Sequence, residues 1–145
     1  MKKISKAHKD MKWKEAIALL NDIVRIKLAP SLLHGIGVFA IRDMKKGEKL
    51  YADVIPNAFD LPYKKLVLLK PEIREIILSH WPNVLNGSHF LYPVTKMTAF
   101  INHLEIGNYD INKDELLADV KKGDEITMNY KRYNNWAKLF PWLKS

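Results

Sequence analysis

The run Ala99-Phe100-Ile101 ends in an asparagine–histidine pair, Asn102-His103, and no other stretch limits the fold as much. An apolar lead-in carries the pair toward an interior. Asn102 offers an amide that both donates and accepts, and His103 a ring nitrogen of each kind. Such groups are costly to bury unsatisfied, so a ligand or a backbone must meet them. Two further stretches fit around the pair. Upstream lies His34-Gly35-Ile36-Gly37-Val38-Phe39-Ala40, whose glycines allow a close approach by ligand or backbone. Read alone, Gly-x-Gly is equally a tight turn before a strand. Downstream, Gly123-Asp124-Glu125-Ile126-Thr127-Met128-Asn129-Tyr130 is an acidic turn running into a strand. Its alternation puts Ile126, Met128 and Tyr130 on one face.

The length of 145 residues suits one domain with a modest core. With 48% hydrophobic and 28% charged residues, the composition is globular rather than disordered. The absence of cysteine excludes disulfides and thiolate metal sites and fits an intracellular protein. No apolar run approaches the ~20 residues that span a bilayer, so no membrane association is expected. The basic N-terminus lacks a following apolar segment and does not read as a secretory signal. Net charge is +8, unevenly spread. Residues 1–14 hold six lysines and one acid, Asp10. Residues 126–145 hold four basic residues and no acid, whereas 105–125 hold seven acids against three lysines. Basic ends favour polyanions such as nucleic acid, or serve solubility alone.

Periodicity predicts a short amphipathic helix over Trp13–Leu20 and a strand over Ile23–Leu28, broken by Pro30-Ser31. Val38–Ile41 reads as a buried strand, Lys45–Glu48 as a turn and Lys49–Ile55 as a third strand. Leu61–Trp81 is more helical, with Pro71 at a first helical position. Asn86-Gly87 is a turn signal and Phe90–Tyr92 a short strand. Strands follow at Tyr109–Ile111 and Glu115–Val120, a turn at Lys121–Asp124, then the strand Ile126–Tyr130. Tyr133–Leu143 reads as a short aromatic helix interrupted by Pro141. No internal repeat, linker or low-complexity segment stands out. His8, His34, His80 and His89 lack metal-ligand spacing and read as surface or turn residues, so no metal is expected. No P-loop, Gly-x-Ser-x-Gly or paired-carboxylate pattern is present.

The Gly35-Ile36-Gly37 stretch, the Asn-His pair and the late acidic strand stand in a telling order. Together they resemble the SET domain of protein lysine methyltransferases, over roughly Ile23 to Tyr130. Asn102, His103 and Asn108 match the family's Asn-His-Ser-x-x-Pro-Asn pattern, while Leu104 and Gly107 depart from it. Gly123 to Tyr130 matches the late Gly-Glu-Glu-Leu-Thr-x-Asp-Tyr motif closely. The resemblance implies a mostly β fold with a few short helices, the β-clip-like SET fold with a C-terminal pseudoknot. Its divisions would be a basic tail and short helix over 1–22, the SET domain over 23–130, and an aromatic segment over 131–145 as candidate lid.

By the same resemblance, S-adenosylmethionine would be held by Gly35, Ile36, Gly37, Asn102, His103 and Trp136, with Tyr130 catalytic. Tyr130 otherwise reads as a strand-end tyrosine closing a core, and the tail as a helix packed on that core. Tyr51, Asp53 and Ile111 would line a substrate-lysine channel, Ile111 falling near the family's Phe/Tyr switch. The implied reaction moves a methyl group to a lysine of a basic protein, histone-like or other. The acidic segment Glu105–Glu125 would sit near the site and receive a basic peptide. The rivals are a non-catalytic SET-fold peptide-binding module and a nucleic-acid surface formed by the basic termini and C-terminal aromatics.

Overall fold

The computed structural model describes residues 13–52, 60–79, 83–85, 89–91 and 97–143. The chain divides into two compact units, each built from two separate stretches. One comprises residues 1–25 and 51–96, the other residues 26–50 and 97–145.

In the first unit, helix α1 spans Trp13–Ile23 and buries Ala16, Ile17, Leu20 and Ile23 along one face. It runs past the expected end at Leu20. The Val24 N–H still donates to the Leu20 carbonyl at 3.0 Å. The apolar–basic alternation from Ile23 therefore becomes extended only from Ile26. Asn21 ties α1 to the next helical stretch. Its amide donates to the Leu68 carbonyl at 3.2 Å, and its oxygen accepts the Lys70 N–H at 2.8 Å. Leu61–Trp81 is not one helix. It divides into strand β3 (Asp60–Pro62), a 3-10 turn (Tyr63–Leu68) and helix α2 (Pro71–Ser79). Pro71 opens α2, where its missing N–H costs nothing, and Glu72 faces the positive end of the helix dipole. Strands β4 (Asn83–Leu85) and β5 (His89–Leu91) complete an antiparallel sheet in the order β3-β5-β4. The turn signal Asn86-Gly87 lies outside the described residues.

The second unit carries a mixed four-stranded sheet. Strands β1 (Ile26–Pro30) and β2 (Ile36–Ala40) form an antiparallel pair, from Ile26 opposite Ala40 to Pro30 opposite Ile36. Strand β6 (Asn102–His103) lies parallel to β9 (Glu125–Met128), giving the order β1-β2-β9-β6. In β9, Ile126, Thr127 and Met128 are all buried, so this strand has no solvent face. A small ribbon pairs β7 (Tyr109–Asp110) with β8 (Glu115–Leu116). The expected strand Lys49–Ile55 does not form over residues 49–52, and the remainder lies outside the described residues. Beyond β9, Tyr130–Arg132 is a 3-10 turn, and the aromatic tail holds only one helical turn, α3 (Trp136–Leu139).

The second unit also contains a near-repeat that the sequence reading passes over. Asp43-Met44-Lys45-Lys46-Gly47-Glu48 and Asp119-Val120-Lys121-Lys122-Gly123-Asp124 make the same turn, with φ +90° at Gly47 and +93° at Gly123. The two turns clasp each other reciprocally. Met44 and Val120 exchange backbone hydrogen bonds at 2.9 Å each way. Asp119 accepts the Lys46 N–H, and Asp43 the Lys122 N–H, both at 2.8 Å. Within each turn the closing acid accepts from the first lysine, Glu48 from Lys45 N–H at 2.6 Å and Asp124 from Lys121 N–H at 2.9 Å. The exchange pins the start of β9 to the end of β2, as the Ala40 N–H donates to the Asp124 carbonyl.

Candidate functional site

A cleft of about 470 Å³ in the second unit is lined by Leu33, His34, Asn102, His103, Tyr130 and Trp142. Three parts of the chain build it. The first is the loop between β1 and β2. Ser31 organises this loop: its N–H donates to the Gly35 carbonyl at 2.8 Å, while its hydroxyl oxygen accepts the N–H groups of Leu33 (3.0 Å) and His34 (3.3 Å). Gly35 closes the turn at φ +46°.

The second part is Asn102-His103. Asn102 is buried, and its amide nitrogen faces three acceptors: the carbonyls of His34 (3.0 Å) and Ile36 (3.3 Å) and a carboxylate oxygen of Glu125 (2.9 Å). Two amide hydrogens thus serve three acceptors, and the surroundings are rich in negative charge density. The His103 Nδ1 accepts the Tyr130 N–H at 3.0 Å. That bond assigns the ring proton to Nε2. Asn108 braces β9 with its side chain in place of a strand. Its amide donates to the Glu125 carbonyl at 2.9 Å, and its oxygen accepts the Thr127 N–H at 2.8 Å.

The third part is Tyr130 with the tail. Asn129 caps the 3-10 turn by accepting the Lys131 N–H, which swings Tyr130 off the β9 face. The expected sharing of one face by Ile126, Met128 and Tyr130 therefore ends at Met128. The Tyr130 ring meets His103 at 5.2 Å, Phe140 at 4.9 Å and Trp142 at 6.1 Å between centroids. Its hydroxyl donates to the Ile101 carbonyl. Burial pushes the phenol above the ordinary tyrosine value, and Tyr133 adds to the rise. Nearby, the Lys131 ammonium bonds the Glu105 carboxylate and holds it below the usual range, with the His103 ring acting in the same direction.

Of the cofactor residues expected from sequence, Asn102 and His103 line the cleft, and Ile36 contributes a carbonyl to Asn102. Gly37 has a different neighbour. A β-carbon there would collide with the Glu125 carboxylate and come within 3.1 Å of the Asn102 amide nitrogen. Its missing side chain makes room for an acid of the protein itself. Trp136 does not line the cleft but lies 5.3 Å beneath the Lys131 ammonium, while Trp142 supplies the aromatic wall. Ile111 borders a separate small groove with Tyr109, Met128 and Arg132. Tyr51 belongs to the first unit, at φ +52° with the Arg25 guanidinium 5.0 Å from its ring. Asp53 lies outside the described residues. His34 is the exposed turn residue expected, and it also lines the cleft. Ser31 and Glu125 were not singled out as site residues. Only a polar pair 94 positions apart would have signalled them, and spacing along the chain carries no such information.

Among the described residues, no group of three or more histidines or acids is arranged to hold a metal ion. No helix there is long and apolar enough to cross a membrane.

The acids of residues 105–125 are largely engaged within the protein. Glu105 pairs with Lys131, Asp110 with Arg132 at 3.8 Å, and Asp119 with Lys45 at 3.6 Å. Asp114 accepts from the Tyr109 hydroxyl and the Leu50 N–H.

No protein-family model matches the chain, and a search of curated proteins finds no match. Among solved structures, it is similar to a chain of the Chaetomium thermophilum Polycomb Repressive Complex 2, at 18% identity over 79% of this chain and TM-score 0.39. The same complex bound to S-adenosylmethionine matches at 20% identity over 81% of the chain, with TM-score 0.39. A Plasmodium falciparum protein assigned as a histone methyltransferase matches at 21% identity, over 77% of this chain and 96% of its own, with TM-score 0.37. The chain spans 16% of the length of those Polycomb chains.

Proposed function

We propose that the protein is an S-adenosylmethionine-dependent protein lysine methyltransferase of the SET type, acting on a lysine of a basic protein or peptide, histone-like or other. One observation carries the reading. The loop before β2, the Asn102-His103 pair and Tyr130, singled out separately in the sequence, converge on one cleft. The lining suits the donor. It combines the Asn102 amide, a ring N–H on His103, and the flat faces of Tyr130 and Trp142 for an adenine. Among the described residues, no lysine, arginine or acid lines it. The pseudoknot belongs to the same reading. It is supported by β6 lying parallel to β9, and by Gly107 pressed so close to Met128 and Asn129 that a β-carbon would meet their backbone at 2.7 Å.

When bound, S-adenosylmethionine supplies an electrophilic methyl group on a sulfonium. The chain's own work is orientation and exclusion of water. Leu33 and Trp142 wall the cleft against solvent, with the tail acting as lid. The Tyr130 phenol stays protonated at neutral pH, so it is not the base. With its O–H donated to the Ile101 carbonyl, its oxygen lone pairs remain to accept from a lysine amine and aim it. Such a substrate goes with an intracellular setting.

A second reading, a SET-fold module that binds without transferring, draws on the same hydroxyl, because its bond to Ile101 satisfies it without any substrate. Nucleic-acid binding is weakened at the C-terminal end, where Lys131 and Arg132 already pair with Glu105 and Asp110. The test is incubation with labelled donor and a panel of basic proteins, alongside melting with donor. Ligand at a hundredfold excess over Kd should stabilise the fold by about 2.7 kcal/mol. A melting shift with no label transferred favours the second reading. No shift at millimolar donor overturns the methyltransferase reading.

A further inference from the structure

We propose that Glu125 is a positioning residue for this cleft. Its carboxylate ties the Ser31–Ile36 loop to Asn102 and so fixes where Leu33 and His34 stand. The Ser31 hydroxyl donates to both Glu125 carboxylate oxygens, at 2.7 and 2.9 Å, and the Asn102 amide donates to one of them at 2.9 Å. The Ser31 oxygen in turn holds the N–H groups of Leu33 and His34, the two loop residues that line the cleft. The relay therefore runs from carboxylate to hydroxyl to cleft wall.

Three features of the fold serve this carboxylate. Strand β9 starts at Glu125, opposite Phe39 of β2, with its backbone carbonyl held by Asn108. The clasped turns fix the backbone just before it. Gly37 leaves the space its oxygens occupy. A hydrogen bond to an ionised group is worth roughly twice a neutral one, so an acid at this point holds an exposed loop better than an amide would. Glu125 is absent from the cleft lining, so it acts through Ser31 and Asn102 rather than by touching a ligand.

The proposal depends on the donor reading only in its binding arm. Amide hydrogen exchange on the full chain supplies the other. In Glu125→Gln, the Leu33 and His34 amides should exchange about tenfold faster, the equivalent of one lost charge-assisted bond. The Val38 and Ile126 amides of the sheet should keep their rates. Gly37→Ala, which displaces the carboxylate from the other side, should reproduce the pattern. In the binding arm, Glu125→Gln and Ser31→Ala should each weaken S-adenosylmethionine binding about tenfold, and the double variant no more than the larger single effect, because the two act in series. A merely structural glutamate would accelerate sheet and loop amides alike, and that result overturns the proposal. Unchanged loop exchange in Glu125→Gln, or additive losses in the double variant, overturns it as well. If the wild-type protein binds no donor, the methyltransferase reading falls, and the exchange arm still decides the role of Glu125.

Discussion

The Tyr130 hydroxyl donates a hydrogen bond to the Ile101 carbonyl, so this residue serves the fold whatever it does for a substrate. Tyr130→Phe keeps the ring and its contacts with Phe140 and Trp142 but orphans that carbonyl. The expected loss is about 1 kcal/mol, a melting point lower by roughly 2–4 °C. pH gives a second signature. The folded phenol lies above the ordinary value because burial disfavours the phenolate, with Tyr133 adding to it. The native state then holds its proton longer than the unfolded chain does. The stability this adds is complete below about pH 10 and is lost as pH rises through the folded value. Melting curves of wild type and Tyr130→Phe should therefore converge above pH 10. If methyl transfer also falls by tenfold or more while donor affinity holds, the oxygen aims the amine as well. Near-normal transfer leaves the residue a purely structural tie. The sequence could offer Tyr130 as a residue of interest. It could not supply the partner, because the Ile101 carbonyl is a backbone atom and leaves no trace in side-chain spacing.

Elements repeat this lesson in another form. Helix α1 and strand β2 were readable because each buries a periodic face, Ile17 and Leu20 in one, Val38 and Ala40 in the other, whereas Ile23, read as the start of a strand, belongs to the helix. β9 was readable in place but not in end, since Asn129 turns the chain one residue before the apolar alternation stops. In the more helical stretch from Leu61 to Trp81, Pro71 opens a helix as its position predicts, but the residues ahead of it settle into a strand and a 3-10 turn. The paired turns were missed because a six-residue near-repeat looks like two ordinary lysine-glycine turns until their reciprocal bonds are seen. Their equivalence is measurable. Gly47 and Gly123 share a left-handed backbone, and a β-carbon at either meets nothing within 4 Å. Alanine at each should cost only the conformational strain, about 1–2 kcal/mol. In denaturant melts the two single variants should agree within about 0.5 kcal/mol. A clear inequality would mean the two turns are alike in shape but not in the load they carry.

For the whole molecule, charge sets how a partner arrives. The net charge is +8, and the acidic stretch that offered a landing place for a basic peptide is mostly engaged by the protein's own groups. Its carboxylates keep their charge, but Lys131, Arg132 and Lys45 neutralise three of them at close range. What an approaching peptide feels from afar is then the positive sum rather than the local acids. A lysine-rich substrate should be repelled at low salt, and added salt should screen the repulsion, since the Debye length shrinks from about 30 Å at 0.01 M to about 10 Å at 0.1 M. kcat/KM for such a peptide should hold or rise between these salt levels, whereas retention on a polyanion such as heparin should fall steeply. A steep fall in kcat/KM with salt would mean that an acidic face wins over the net charge, and that the seven acids between residues 105 and 125 are seen by the substrate before the lysines are.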